Sequence, residues 1–505
     1  MSRTQAFLGW LEDRSDWLSP ILVKEVRQLG RGREFNYAFA ASLVAGLAVA
    51  FFGAADALAG TGTAGRWTFF ALMACLALLG LAVVPLGAFS ALRNERLEQT
   101  LELITLTALS PRRIMAGKLA AQGVKLATLF AAMAPFIAMS FLLGGIDFVT
   151  ILVSLALLFM WSLWASALCL FLSTLLKSRA VSGLVFGAAG IALFLIFVAT
   201  RNVFFVATRV GGAAVLPMGA GSEPWWALAM VTTFCLATMI NLVLLGENRL
   251  SLPTENRVTT LRVGFLAQLL LVAGWTASFI HAAPAARSNA VEALGVFAGL
   301  HLALVAMFTV TEDLDAPRRV LLRMRSSSRR WLFAMFMPGG GWGAVYVLVQ
   351  MALVLLTAWL LEPTPTQVRW LLAMFGYICF FTGVPAVIFQ IVRPARAGSL
   401  HLRIAVLLLL PASMLLPDLI HYVLWRPEVL NMSFAPRHLV NPFRTLGNWR
   451  LVEAQGWLQA PAVFGVAGLF AYSALIQLGR AAVQSARNDP QQAAVAGEPG
   501  ADTSY

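Results

Sequence analysis

Twelve long apolar runs constrain the fold of this chain more than any other feature of its sequence. A helix needs about 20 mostly apolar residues to cross the roughly 30 Å hydrocarbon core of a bilayer. Backbone polar groups in lipid must bond within the protein, and a β-barrel would instead show alternating segments of about 10 residues. We therefore predict an all-α, polytopic integral membrane protein with about 12 transmembrane helices. The predicted spans are 36–58, 67–91, 119–143, 148–174, 181–200, 225–246, 263–281, 290–310, 341–361, 369–391, 404–424 and 459–479.

The distribution of Lys and Arg orients these spans, because positive charges in short loops are retained in the cytoplasm. With the N-terminus in the cytoplasm, the cytoplasmic segments contain 27 of the 37 Lys and Arg residues, and the external segments contain 9. This excess predicts an N-in, C-in topology. Residues 1–35 are polar and mixed in charge, so we expect no cleavable signal peptide and take the first span as the insertion signal. The expected location is the cell (inner) membrane.

The composition argues against a nucleic-acid partner and a water-soluble fold. Hydrophobic residues make up 59% of the chain and charged residues 12%, about half the charged fraction of a soluble domain. The net charge of +13 is spread over short loops, and no basic stripe lies on a polar domain large enough to dock a duplex. We therefore expect membrane lipids, and no nucleic acid, as partners of these positive charges.

The sequence contains no recognisable motif for catalysis, cofactor binding or metal binding. Walker phosphate loops, HExxH, GxSxG elbows and paired His or carboxylate ligands are absent. The four cysteines fall inside predicted spans without a CxxC pair, so we expect them to fill the core. The Gly-rich stretch 337–343 lacks the preceding strand and the Lys-Ser/Thr of a phosphate loop, and it is predicted to be a flexible hinge. The chain is therefore not expected to be an enzyme, and active transport would need energy from another chain.

An amphipathic helix is predicted before the first span. Pro20 suits a first helical turn, and Ile21, Leu22, Val26 and Leu29 follow at helical spacing with charges between them. A helix with this pattern lies at the membrane surface. The predicted topology places it on the cytoplasmic side.

The segment 93–118, between the second and third spans, is the most informative cytoplasmic segment. It is too long for a turn and too charged for a span. Apolar residues recur at an i, i+4, i+7 spacing from Leu97, while acidic and amide side chains occupy the other side. Ser110 and Pro111 then open a second helix that leads through Lys118 into the third span. Two short helices joined at this turn predict a rigid cytoplasmic projection.

Two stretches of the sequence resemble the signatures of type-2 ABC-exporter permeases. Residues 98–118 resemble the motif E-x-G-T-L-E-L-L … P-L-S … I … G-K, and residues 19–28 resemble the motif N-P-(V/I)-L-x-K-E-(L/V)-R. The resemblance covers about residues 15–245, the size of one six-span domain. The departures from the family pattern are Gln99 in place of Gly, Ala108 in place of Pro and Ser19 in place of Asn.

The resemblance implies a transmembrane permease subunit of an ATP-driven ABC exporter. Its implied partners are a separate ATP-binding ABC subunit and a second permease subunit, in a homodimer or a heterodimer. Residues 36–246 would be the export domain, and a coupling helix within 93–118 would seat in the ATPase. The residues implied for that contact are Glu98, Thr100, Leu101 and Glu102, with Ser110, Pro111 and Lys118 setting its angle. The residues implied for the connecting helix within 1–35 are Pro20, Lys24, Glu25 and Arg27.

The rest of the chain carries no motif that we assign. Residues 263–479 are predicted to form a six-span C-terminal membrane region, and 480–505 a disordered cytoplasmic tail. The Arg-rich loop 311–333 is interpreted as an anchor for the topology, and binding of lipid headgroups or of a partner remains an alternative. The external segment 425–458 is interpreted as interfacial aromatics with snorkelling cations, and a small folded cap remains an alternative. The transported substrate leaves no mark in such apolar spans.

Two other functions remain open. An ion-coupled secondary transporter also has about twelve spans, but it needs ionisable groups at membrane depth, where this chain offers Lys125 and His301. A membrane-embedded lipid-modifying enzyme would use Asp418 and His421 near the external end of the eleventh span. The simpler interpretations are a snorkelling lysine, a satisfied buried histidine and an interfacial Asp/His pair.

Overall fold

The computed structural model is helical throughout its regular structure, with no strand among the described residues. The chain divides into two compact units, Met1–Ser251 and Leu252–Tyr505, and each is described by itself. The described residues are 20–29, 32–60, 64–98, 110–144, 146–175, 223–251, 258–282, 287–313, 335–392, 399–425 and 434–488, with single positions at 183, 186, 187 and 190.

The first unit contains seven described helices, of which a short N-terminal one precedes the long ones. Helices α3 and α4 form one continuous rod through a π-helical turn at Leu79–Val83. The helices are α1 (Pro20–Leu29), α2 (Arg33–Leu58), α3 (Ala64–Leu78), α4 (Val84–Leu97), α5 (Pro111–Leu142), α6 (Phe148–Thr174) and α7 (Glu223–Leu250).

The second unit contains five long described helices in its first part, a group of short helices, and a long last helix. The long helices are α8 (Thr259–Ala282), α9 (Arg287–Thr309), α10 (Gly340–Leu360), α11 (Pro365–Val392) and α12 (Ser399–Trp425). The remainder are a 3₁₀ helix (Pro436–Val440), α13 (Pro442–Gly447), α14 (Trp449–Ala454) and α15 (Gln459–Asn488).

Ten helices in the described ranges are long and apolar enough to cross a membrane. The protein is therefore an all-α, multi-pass membrane protein, as predicted. Helix α12 covers the predicted span 404–424, whereas the predicted span 181–200 lies almost wholly outside the described residues. The count of twelve and the N-in, C-in orientation stay predictions.

Several helices run past the ends of their predicted spans. Helix α4 continues to Leu97, so the first residues of segment 93–118 extend a spanning helix. Helix α15 continues to Asn488, so the first nine residues of the predicted disordered tail are helical. Ala, Gln and Arg are strong helix formers, which explains why the helix persists beyond its apolar part. Residues 489–505 lie outside the described residues.

A proline explains the π-helical turn between α3 and α4. Pro85 lacks an N–H, and its ring would clash with the carbonyl of Leu81 in a regular helix, so the chain widens locally. Gly80, inside the turn, lies so close to Ser162 of α6 that an added Cβ would be 2.4 Å from its Oγ. Together with residues of this turn, α3, α5 and α6 share an apolar core that includes Phe69, Leu129 and Leu158.

The loop after α5 closes on the start of α3 and leaves no room for a side chain at Gly65. A Cβ on Gly65 would lie 1.7 Å from the backbone oxygen of Gly144, so Gly65→Ala must displace backbone. We expect a loss of about 1–3 kcal/mol, typical of overpacking, measured as the free energy of unfolding in SDS titrations of mixed micelles.

The matched control for this substitution is Gly87→Ala in α4. An added Cβ there meets nothing within 4 Å among the described residues, so unfolding should change by less than about 1 kcal/mol. Equal effects of Gly65→Ala and Gly87→Ala would contradict the close contact between α3 and the loop after α5.

Small residues let α11 and α15 cross closely in the second unit. A Cβ on Gly376 would lie 2.7 Å from the Cα of Gly465, and one on Gly468 would lie 2.6 Å from the backbone nitrogen of Phe380. Glycines at such crossings allow backbones to approach in membrane helices, where packing rather than hydrophobicity drives association.

Residues 434–458 form a folded cap, the alternative that the sequence left open. Trp449 and Val452 are buried, and the Asn441 side chain caps α13 by accepting from two backbone N–H groups. The Tyr377 hydroxyl of α11 donates to the carbonyl of Leu439, and Trp370 Nε1 donates to Leu446 O at 3.1 Å. Hydrogen bonds from α11 therefore tie the cap to the bundle of the second unit.

Candidate functional site

The N-terminal helix α1 docks against α5, the helix that follows segment 93–118. Among its described side chains, Ile21 and Glu25 are buried, one helical turn apart, whereas Val26 of the predicted apolar stripe is 36% exposed. A glutamate on the buried face needs a partner, because desolvating a carboxylate without one is costly.

Lys118 supplies that partner and joins three helices. Its Nζ donates to Glu25 Oε1 of α1 at 2.7 Å and lies 2.9 Å from Glu95 Oε2 of α4. Only 3% of the Lys118 side chain is exposed, against 9% for Glu25 and 15% for Glu95. Lys24 adds a more exposed contact, with its Nζ 3.2 Å from Glu95 Oε1. We call Lys24, Glu25, Glu95 and Lys118 the base cluster.

The base cluster lies where segment 93–118 leaves α4 and enters α5. Glu95 is three residues before the C-cap of α4, and Lys118 is in the third turn of α5. Arg96 reinforces the same end of α4, because its guanidinium donates to the carbonyl of Thr174 at the end of α6. Both ends of the segment are therefore bonded to the bundle of the first unit.

The other predicted site residues lie around this cluster or outside the described residues. Pro20 and Arg27 are exposed on α1, and Glu98 is exposed just after α4. Ser110 has extended backbone at the N-cap of α5, where its carbonyl accepts from two N–H groups, and Pro111 takes the first helical position. Thr100, Leu101 and Glu102 lie outside the described residues.

Glu95 lies on the predicted polar side of the segment but is not among the predicted site residues. The signal in the sequence is that Glu95 is the first acidic residue after Asp56 and closely follows the predicted span 67–91. The spacing of 93 positions between Glu25 and Lys118 gave no hint of their contact.

The second unit contains a buried ion pair that the sequence did not indicate. Arg262 is fully buried, and its Nη2 donates to Glu312 Oε2 at 2.6 Å. Its Nη1 donates to the carbonyl of Met335 at 2.7 Å, and the N–H of Gly339 donates to Glu312 Oε2 at 3.0 Å. The pair therefore fixes the turn that precedes α10.

The Gly-rich stretch after this turn is tightly packed, where the sequence predicted a flexible hinge. Gly339 has φ 124°, a conformation that favours glycine, and α10 begins at the next residue. Added Cβ atoms would lie 2.7 Å from Val310 O at Gly340 and 2.0 Å from Thr309 O at Gly343. Because these glycines lack a Cβ, the backbone at the end of α9 can approach α10 closely, so their role is close packing.

The remaining polar candidates offer no catalytic arrangement among the described residues. His301 is buried, and its Nε2 lies 3.2 Å from Gln350 Oε1, as expected for a satisfied histidine. Lys125 is half-buried on α5, and the backbone of Asp418 and His421 lies in α12, whose side chains there are not described. No group of three His, Cys, Asp or Glu residues that could bind a metal occurs within the described ranges.

The comparisons with known proteins give no match. The chain matches no protein-family model, no curated protein and no solved structure. The base cluster and the residues around it are therefore the structural features that bear on function.

Proposed function

We propose that the chain is the transmembrane permease subunit of an ATP-driven ABC exporter in the cell membrane. The observation that carries this proposal is the base cluster. It joins the two stretches that resemble the permease signatures, because Glu25 belongs to one stretch and Lys118 to the other.

The base cluster would allow the segment between α4 and α5 to transmit a movement to the membrane-spanning helices. A separate ATP-binding subunit would contact the segment between α4 and α5 through Glu98, Thr100, Leu101 and Glu102. Closure of that subunit on ATP would push on the segment, whose two ends are bonded to α1, α4 and α5 through Lys118. Packed helices respond as rigid bodies, so the push would tilt the spans and change access to a pathway.

In this proposal the partner subunit hydrolyses ATP, and the membrane-spanning helices form the substrate pathway. This chain would supply no catalytic residue and no cofactor site. A second permease subunit, a copy of this chain or a related one, would complete the pathway. Lys24, the exposed cation of the base cluster, would also lie on the side where anionic headgroups attract it in the predicted topology.

Copurification tests the proposal. The full-length chain, tagged and extracted from its native membranes in mild detergent, should bring down an ATP-binding subunit, and the complex should hydrolyse ATP. Glu102→Lys reverses a charge in the proposed contact and should lower both recovery and ATPase activity about tenfold, equivalent to roughly 1.4 kcal/mol. Mass spectrometry and phosphate release measure the two quantities.

Glu292→Lys serves as the matched control, because Glu292 is exposed on α9 of the second unit. This variant should recover the same amount of ATP-binding subunit as the unmodified chain. Absence of an ATP-binding subunit from every preparation, together with ion-driven flux in its place, would overturn the proposal in favour of a secondary transporter.

A further inference from the structure

An apolar cavity of about 550 Å³ lies within the second unit, between α10, α11 and α15. Its walls include Met351, Leu355, Leu372, Phe375 and Leu469, and Trp449 of the cap lines it at one end. The volume is within the range of about 300–1,000 Å³ that is typical of small-molecule sites. Such walls select a hydrocarbon and not a polar solute.

The length of the cavity matches one leaflet of a bilayer. On α11 it extends from Arg369 to Cys379, ten residues or about 15 Å at the helical rise of 1.5 Å per residue. The hydrocarbon core of a bilayer is about 30 Å thick, so with Arg369 at the interface a cavity of this length would reach to about the midplane. That is the depth occupied by one acyl chain.

The cap end of the cavity carries two polar groups. Trp449 is 6% exposed, and its Nε1 has no hydrogen-bond partner among the described residues. A buried N–H without a partner costs about 1–3 kcal/mol, which a ligand acceptor would recover. Arg369 lines the same end, and its side chain is 48% exposed.

Among the described residues Arg369 has two partners, which leaves donors for a ligand. Its Nε donates to Pro365 O at 3.3 Å and its Nη1 lies 3.0 Å from Glu453 Oε1, while a guanidinium carries five N–H groups. Arg369 also borders a second, more open depression with Trp359, Glu362 and Val368, which leaves room for a headgroup beside the cavity.

The charge of the cap favours an anion. The described residues of the cap, of the turn before α11 and of the start of α11 contain four arginines and two glutamates. Glu453 offsets part of the charge of Arg369, but the surplus of positive charge remains. The charged residues are Glu362, Arg369, Arg437, Arg444, Arg450 and Glu453.

We infer that this cavity binds an anionic membrane lipid, with one acyl chain between α10, α11 and α15 and its headgroup accepting hydrogen bonds from Arg369 and Trp449. The lipid would come from the leaflet on the cap side, which the predicted topology places outside. Arginine suits a phosphate because its planar fork donates two parallel hydrogen bonds. This inference does not rest on the proposed export function.

Photo-crosslinking of the full-length chain in liposomes tests the inference. The probes are phosphatidylglycerol and phosphatidylcholine that carry the same diazirine-labelled acyl chain. We expect labelling of cavity residues on α10, α11 and α15 to be about tenfold stronger with phosphatidylglycerol, as a charge-assisted hydrogen bond of about 1.4 kcal/mol would give. Peptide mass spectrometry measures the label at each residue.

Variants separate a bound lipid from bulk lipid. Arg369→Gln and Trp449→Phe remove donors while keeping most of the side-chain bulk, and each should reduce the preference for phosphatidylglycerol several-fold. Arg369→Lys keeps the charge and should retain part of the preference, which distinguishes loss of binding from misfolding.

Filling the cavity gives an independent readout. Ala462→Trp places an indole in the cavity and should abolish cavity labelling. The control Val463→Trp lies on the next residue of α15, which is 66% exposed and does not line the cavity, so labelling should be unchanged. Equal labelling by both probes, or a preference unaffected by Arg369→Gln and Trp449→Phe, would overturn the inference whatever the outcome for an ATP-binding partner.

Discussion

Lys118→Met is expected to destabilise the first unit by about 3–5 kcal/mol, the usual cost of removing one partner from a buried ion pair. The substitution leaves Glu25 and Glu95 buried beside each other without the cation between them. Methionine matches the length of the lysine stem, so lost packing contributes little. The free energy of unfolding in SDS titrations of mixed micelles measures the effect.

Two further variants identify the cause of this loss. The triple variant Lys118→Met, Glu25→Gln, Glu95→Gln removes both stranded charges and should recover most of the stability. Lys24→Met breaks the more exposed pair with Glu95 and should cost less than about 1 kcal/mol. A triple variant no more stable than Lys118→Met would show that charge pairing is not what the base cluster contributes.

Arg262→Met is expected to destabilise the second unit by about 3–5 kcal/mol, because it also removes one partner from a buried ion pair. It strands the carboxylate of Glu312 and leaves the carbonyl of Met335 without its donor. Arg262→Lys should recover only part of the loss, because an ammonium cannot reproduce the planar fork that bonds both acceptors. Unfolding of the full-length chain, followed by tryptophan fluorescence, measures these differences.

The double variant Arg262→Met, Glu312→Gln removes the stranded carboxylate and should restore part of the lost stability. The amide oxygen that replaces the carboxylate would still accept from the N–H of Gly339, so the turn before α10 should regain part of its stability. Arg450→Met is the control, because Arg450 is exposed on α14 and such changes usually stay within about 0.5 kcal/mol. Similar losses for Arg262→Met and Arg450→Met would contradict the role of the buried pair.

The helices could be predicted from the sequence because the apolar character of each run by itself indicates a helix that lies in lipid. A run of about 20 apolar residues satisfies its backbone internally and its side chains in lipid, whatever the rest of the chain does. The predicted span 148–174 has the same limits as α6, and the predicted span 36–58 ends where α2 ends. Helix ends that depend on other elements are harder to predict from the sequence, as α15 shows by continuing to Asn488.

The contacts between helices could not be predicted in the same way. The motif predicts Lys118 as a site residue, yet its bridge to Glu25 and Glu95 depends on how α1, α4 and α5 pack. Arg262 lies just before the predicted span 263–281, whereas α8 begins at Thr259. The helix therefore places a charge inside the protein that a hydropathy scan assigns to water.

The role of the glycines could not be predicted from the sequence either. The stretch 337–343 has the composition of a hinge, and composition does not reveal a neighbouring backbone 2.0 Å or 2.7 Å from a missing Cβ. The proposed ATPase contact at Thr100, Leu101 and Glu102 stays a prediction, because those residues lie outside the described ranges.

The bridge between Glu25 and Lys118 also sets an order of events during synthesis. Glu25 leaves the ribosome 93 residues before its partner, a delay of about 5–20 s at 5–20 residues per second. During that interval its carboxylate has no buried cation to pair with, so α1 must wait in water or at the headgroups. Helix α1 can dock only after α5, the third long helix of the chain, has been made.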